Sequence, residues 1–297
     1  MFGGLLAGLA FWPFSGKLEL TRGGRTDYAV VQAENATEPE KFAVQELTNF
    51  LSRVTGATFP VIEETALSGN TRGIYVGWTS YAERNGIDAS KLGEEEWVIR
   101  SIGKNLVLAG GRPRGTMYAV YEFLERQVGC HWLDQDTEVV PSKPDLKLGK
   151  LDIRAKPAFA RRELSNPGLT ARGTRSGMET ALFHIRNKTF RYDLLSLTNL
   201  YPHGAFSRWY GSPGDCHTFE KYLSPSNWFA THPEYFALDA RGKRAPVCSV
   251  FGSPAQLCLT QPDVRRLVVE RLREFIARDR AEAALRGVPT PKVYDIS

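Results

Sequence analysis

Between residues 28 and 124, short apolar runs alternate with stretches of helical period, and this alternation constrains the fold more than any other feature of the chain. Residues 28–33 (YAVVQA) form a short buried strand. Pro39 then opens a helix whose apolar face carries Phe42, Val44, Leu47, Phe50 and Leu51, and Gly56 closes it. Residues 59–62 and 73–77 (GIYVG) resume as strands. Residues 96–101 and 105–109 flank Gly103-Lys104 and read as a hairpin. A glycine-rich connection, 110–115, leads into a helix with Met117, Val120, Tyr121 and Leu124 on one side. Strands that alternate with helices bury their faces as a helix-covered sheet, so the fold class is α/β.

A length of 297 residues suits two domains when a domain runs to roughly 100–200 residues. Residues 141–157 are dense in Pro, Lys and Asp and read as a linker or a strand crossing between domains. An α/β domain is therefore expected over 17–153, and a second domain over 154–297. In the second, 159–164 and 193–197 are strand candidates and 178–190 is a helix. Residues 198–219 are rich in aromatics, His, Gly and Pro, and too irregular for a plain connector, which marks a functional loop. From Pro262 an amphipathic helix presents Val264, Leu267, Val268, Leu272, Phe275 and Ile276 on one face. Residues 292–297 (KVYDIS) then begin a strand. Roughly three or four strand–helix units are visible, fewer than close a (β/α)8 barrel, so the chain is either an open sheet or a barrel severed partway round, and the severed barrel is the reading taken forward.

Residues 1–14 (MFGGLLAGLAFWPF) are too short to span a bilayer and lack a preceding basic residue. Residues 1–16 are either a degenerate export signal or a segment that packs on the body, and export is the reading taken forward. No other stretch could cross a membrane. The net charge of +5 is spread along the chain in isolated pairs such as Arg161-Arg162 and Arg265-Arg266, which argues against a nucleic-acid footprint. Cys130, Cys216, Cys248 and Cys258 suit an oxidising compartment or four buried thiols equally, and Cys248 and Cys258 could bridge a short loop. With His203 and His217 they offer zinc-ligand types but no paired knuckle, so no metal is expected. Residues 110–115 are not G-x-G-x-x-G and no Walker lysine follows. A tight packing turn against the second domain is preferred there over an anion site, and no cofactor is expected.

Three segments carry a resemblance: 110–132 (GGRPRGTMYAVYEFLERQVGCHW), 231–244 (THPEYFALDARGKR) and 256–272 (QLCLTQPDVRRLVVERL). In combination and order they resemble a bacterial family of unknown function, domain-of-unknown-function family 4838, found in polysaccharide-degrading organisms. Its N-terminal domain is similar to that of the glycoside hydrolase family 67 α-glucuronidases and of hexosaminidases, and its second domain looks like a glycosidase-type barrel. The resemblance implies an α-glucuronidase-like glycoside hydrolase acting on polysaccharide-derived sugars outside the cytoplasm. It also implies that the strand begun by 293–297 continues into an acidic motif, which places the catalytic carboxylates beyond Ser297 and leaves residues 1–297 inactive alone. A non-catalytic carbohydrate-binding or surface protein on the same scaffold is the alternative.

Glycoside hydrolysis needs two carboxyl groups, roughly 5–5.5 Å apart for retention and about 6.5–9.5 Å for inversion. Barrel enzymes place them at the carboxyl ends of strands. The acids nearest such positions are Glu163, Asp215 and Glu220, for each of which a cap, surface charge or salt bridge is the competing role. Sugar rings present apolar faces to aromatics and hydroxyls to directional partners. Asn199, His203, Trp209 and His217 supply that mixture in the long loop, with packing and structural hydrogen bonds as the competing reading.

Overall fold

The computed structural model describes residues 18–67, 71–160, 162, 177–189, 210–214, 217–246, 256–286 and 290–297. Residue contacts group these into two compact units, the first running to residue 189 and the second from residue 210 onward.

In the first unit the strands are β1 (Leu18–Thr21), β2 (Tyr28–Gln32), β3 (Val61–Glu63), β4 (Arg72–Val76) and β5 (Trp97–Ile102). They are followed by β6 (Asn105–Gly110), β7 (His131–Trp132), β8 (Glu138–Val139), β9 (Leu146–Leu148) and β10 (Asp152–Ala155). Six form one sheet in the order β10-β5-β6-β4-β2-β3. β6, β4, β2 and β3 run parallel, while β5 is antiparallel to both β6 and β10. Helices α1 (Glu38–Thr55) and α3 (Gly115–Phe123) cover one face, packing Val44, Leu47, Phe50, Met117 and Tyr121 on Val30, Ile74 and Leu108. The short helix α2 (Ser80–Arg84) covers the other, where Ala82 and Ile87 meet Val31, Tyr75 and Val107. Phe50, Val30 and Leu108 are fully buried, and each such side chain stabilises the fold by about 1.5–3 kcal/mol.

Local chemistry sets the limits of these elements. α1 starts where the Thr37 N–H donates to Glu40 Oε2 at 2.8 Å and stops at Gly56, whose φ of 74° only glycine adopts freely. The glycine-rich turn after β6 is a packing device. A Cβ on Gly111 would lie 2.0 Å from the Gly93 carbonyl oxygen, and one on Gly115 would lie 2.3 Å from that of Glu96. The turn therefore packs against 93–96 of its own unit, because the segment leading into β5 crosses directly over it.

The first unit continues past the 153/154 junction expected from composition. The stretch 141–157 contains β9 and β10, and β10 is a sheet edge whose ladder covers Asp152–Ala155. Residues 159, 160 and 162 carry no strand. Helix α4 (Gly177–Arg186) belongs here as well. Arg186 forks onto Glu46 at 2.8 and 3.1 Å, and its guanidinium sits 5.1 Å from the Phe50 ring and 5.7 Å from the Trp132 ring. Lys188 reaches Glu122 and Glu125 at 3.1 and 3.0 Å.

The second unit holds the short helices α5 (Phe219–Tyr222) and α6 (Pro225–Trp228), and the long helix α7 (Pro262–Arg286). Val264, Val268, Phe275, Asp279 and Ala283 are buried along one stripe of α7, at the spacing of a single helix face. Val264, Val268 and Phe275 meet Tyr222, Leu223, Tyr235, Phe236 and Leu257. Strand pairing among the described residues of this unit is confined to isolated bridges. Tyr210 pairs with Val293 in parallel, and Phe236–Leu257 and Leu238–Arg244 are antiparallel. The strand expected to begin at 292–297 is represented among the described residues by Val293 alone.

Candidate functional site

The parallel bridge of Tyr210 with Val293 sends the residues after each of them toward the same end of the pair. The Gly211 N–H donates to the Val293 carbonyl at 2.8 Å. Tyr294 lies so close over Gly211 that a Cβ there would sit 2.1 Å from its ring. Four residues then converge. Thr218 is fully buried, and its N–H and that of Phe219 both donate to the Ser297 carbonyl, at 2.5 and 2.9 Å. The Ser297 N–H returns a bond to Thr218 Oγ1 at 3.0 Å. The Thr218 hydroxyl faces the Asp295 carbonyl at 3.1 Å and Asp295 Oδ2 at 3.3 Å. The Ser297 hydroxyl donates to the same Oδ2 at 2.5 Å.

Asp295 is thus a carboxylate two residues past the bridged Val293, with one oxygen held by two hydroxyls. Its Oδ1 has no partner among the described residues, so it can accept a hydrogen bond from a ligand hydroxyl. Tyr222 donates to the Asp295 carbonyl at 2.7 Å. Burial first, then the Asp295 and Tyr294 charges, pushes the Tyr222 hydroxyl up to about 12. It therefore stays a neutral donor throughout the physiological range.

Tyr222 also borders a groove of about 500 Å3 whose lining includes Glu220, Lys221, Asn227, Trp228 and Glu274. The Trp228 ring is set against His232 and Tyr235, each at 5.7 Å, and His232 stacks on Tyr235 at 4.5 Å. His232 Nδ1 lies 3.0 Å from Glu234 Oε1. The bond to His232 holds the Glu234 carboxyl below its usual range. His232 is thereby scaffold for Trp228, while the indole, an amide and carboxylates edge the groove.

Of the residues singled out from sequence, His217 stands beside this cluster. It is exposed, and its φ of 51° is uncommon for a side chain with a Cβ. Glu220 is half-buried, 2.9 Å from Lys221, on the groove. Glu163, Asn199, His203, Trp209 and Asp215 lie outside the described residues, as do Cys216 and Cys248. Cys130 and Cys258 are free thiols. Thr218, Tyr222, Asp295 and Ser297 were not singled out. The available signal was an acid two residues after an apolar strand start, in Val293-Tyr294-Asp295. Among the described residues no cluster of three or more His, Cys, Asp or Glu could hold a metal ion, and no helix is long and apolar enough to cross a membrane.

Residues 132–286 match the profile of a domain of unknown function, DUF4838. The chain belongs to this family. The DUF4838 match takes in β7 to β10 and α4 of the first unit together with the second unit through α7. Residues 19–123, from β1 to α3, match the glycosyl hydrolase family 67 N-terminus. Among solved structures, the DUF4838 chain is similar to a family GH115 4-O-methyl-α-glucuronidase with specificity for decorated arabinogalactans. That likeness has 19% identity and a TM-score of 0.42, over 58% of this chain and 25% of that one. A Streptomyces plicatus β-hexosaminidase follows at 15% identity and a TM-score of 0.32, over 50% of this chain and 25% of that one. A GH20 β-N-acetylhexosaminidase from Streptomyces coelicolor A3(2) gives 14% identity and the same TM-score, 0.32, over 50% of this chain and 25% of that one. The chain spans about a quarter of the length of these enzymes. No curated protein matches it.

Proposed function

We propose that this chain is part of an exported glycoside hydrolase of the α-glucuronidase-like kind, acting on sugars released from polysaccharide. The observation that carries the reading is the order of the two family matches, a family 67 N-terminus over 19–123 followed by DUF4838 over 132–286. The cluster around Asp295 supports it in chemical terms. Asp295 with one oxygen fixed and the exposed His217 are groups that recognise sugar hydroxyls. In this proposal the second unit is the opening part of a (β/α) barrel and residues 1–297 recognise the saccharide. The general acid and its partner carboxylate come from the acidic motif that the resemblance places after residues 293–297.

Calorimetry with glucuronic-acid-bearing xylo-oligosaccharides, run beside an assay on aryl glycosides, tests this. Residues 1–297 should bind the oligosaccharide without releasing any aglycone, and Asp295→Asn should weaken binding by about tenfold, the loss of one charged hydrogen bond. Hydrolysis by these residues alone would overturn the placement of the acids. Failure to bind any acidic or neutral saccharide would overturn the carbohydrate reading. A non-catalytic binder on this scaffold would instead bind, yet leave the aryl glycosides uncut even when the protein includes the acidic motif.

A further inference from the structure

The order of the sheet in the first unit creates a second place where a ligand can sit. β2 leads into α1 on one face, and β4 leads through residues 77–79 into α2 on the opposite face. β2 and β4 are neighbouring parallel strands. Their connections therefore diverge at their carboxyl ends, and in open α/β sheets such a divergence leaves a crevice that small molecules occupy. Here the crevice is a cavity of about 190 Å3, whose lining includes Asn35 after β2, Trp78 and Thr79 after β4, and Glu83, Asp88 and Ser90 beyond. It is smaller than the roughly 300–1,000 Å3 of sites for drug-sized ligands, and its size suits one sugar ring.

The aromatic wall of this cavity is held rigidly. Trp78 Nε1 donates to the Gly110 carbonyl at 2.7 Å, and the Arg112 guanidinium lies 4.0 Å over its ring. Arg112 is fixed in turn by the buried Glu40 at 2.9 Å and by the Asn35 carbonyl at 3.0 Å. The polar groups are not all consumed. Asp88 is engaged by Lys91 at 2.9 Å and by Ser90. The side-chain amide of Asn35 and the carboxylate of Glu83 have no partner among the described residues. With Arg112 neutralised by Glu40 and Lys91 by Asp88, Glu83 leaves the lining with an unbalanced negative charge.

We propose that this crevice is a saccharide subsite for a single neutral pyranose ring. The ring packs on the edge of Trp78, and its hydroxyls bridge the Asn35 amide and the Glu83 carboxylate. The negative charge at Glu83 repels a uronate, so the ligand class differs from that proposed for the cluster around Asp295.

The test uses the 297-residue chain labelled with nitrogen-15. The indole N–H resonance of Trp78, assigned with Trp78→Phe, is followed while xylose, glucose, galactose or glucuronate is added. A neutral pyranose should shift this resonance in the millimolar range, and glucuronate should bind at least about fivefold more weakly. Asn35 and Glu83 are exposed, so Asn35→Ala with Glu83→Ala leaves the fold intact and should weaken the neutral sugar by about tenfold. No shift with any neutral pyranose, a shift unaffected by the double variant, or equal response to glucuronate would each overturn the proposal.

Discussion

The two units of this chain hold themselves together by different means. In the first, a continuous six-strand ladder carries side chains with no exposed surface on both faces, and helices close each face. In the second, strand contacts among the described residues shrink to single bridges. Order there comes from one stripe of α7 and from side-chain hydrogen bonds such as those of Thr218, Ser297 and Asp279. Asp279 is fully buried and accepts from the Ser212 N–H at 2.7 Å and from the Ser212 hydroxyl. A sheet spreads its stability over many bonds, whereas a helix stripe with polar ties concentrates it in a few. The hydrogen-bonded cluster around Asp295 thus rests on the less redundant framework.

The most severe test of that contrast is core truncation. Phe50→Ala in the first unit should cost about 3–5 kcal/mol. Phe275→Ala, at a site that is 5% exposed, should fall toward the bottom of the same range. Urea unfolding followed by hydrogen exchange of peptides from each unit separates the two, and equal losses would erase the distinction. Next comes Arg186→Ala, which strands Glu46 beside Phe50 and Trp132. Removing one partner of a fully buried pair costs roughly 3–5 kcal/mol, and with 17% of the Arg186 side chain exposed the loss should be about 2 kcal/mol. Arg186→Met combined with Glu46→Gln should recover half or more of it, measured by the same unfolding.

Alkaline titration sharpens the comparison further. The Tyr222 phenol is raised from 10.0 to about 12, so the folded second unit keeps a proton that the unfolded chain releases. Its stability contribution is whole below pH 10 and is lost as pH rises toward 12, by about 1–2 kcal/mol. Tyr222→Phe should remove that slope in near-ultraviolet dichroism melts taken across the window. The smallest effect is chemical reactivity. Burial pushes the Cys130 thiol up to about 11, whereas the Thr260 hydroxyl and Arg244 hold the Cys258 thiol below its usual value. Iodoacetamide at pH 8 should label Cys258 at least about tenfold faster, read by peptide mass spectrometry.

The elements of the first unit were legible because their apolar residues face one way along a strand or helix, and a period survives in the sequence. β9 and β10 were not, since edge strands carry charge outward. Arg154 on β10 pairs with Glu96 and Asp152 pairs with Arg100, so composition reads as a linker where a ladder exists. The Arg186–Glu46 fork joins residues far apart in the chain, and no local pattern announces it. His217 was visible as an aromatic-rich loop residue. Asp295 was not, because a single acid at a strand start is indistinguishable from surface charge until Thr218 and Ser297 close around it.

The outer margins of the sheet carry a last consequence. β3 offers only three residues, among them a half-exposed Val61, and ends at once in Glu63 and Glu64, and the Glu64 carboxylate oxygens accept from the Ser80 and Tyr81 amides at 2.7 and 2.6 Å. At the other margin, β10 runs for four residues and shows alternating charged side chains. A stray polypeptide seeking a template would meet a ledge too brief and too charged to extend. Such blunted rims keep copies of the molecule from zipping together edge to edge.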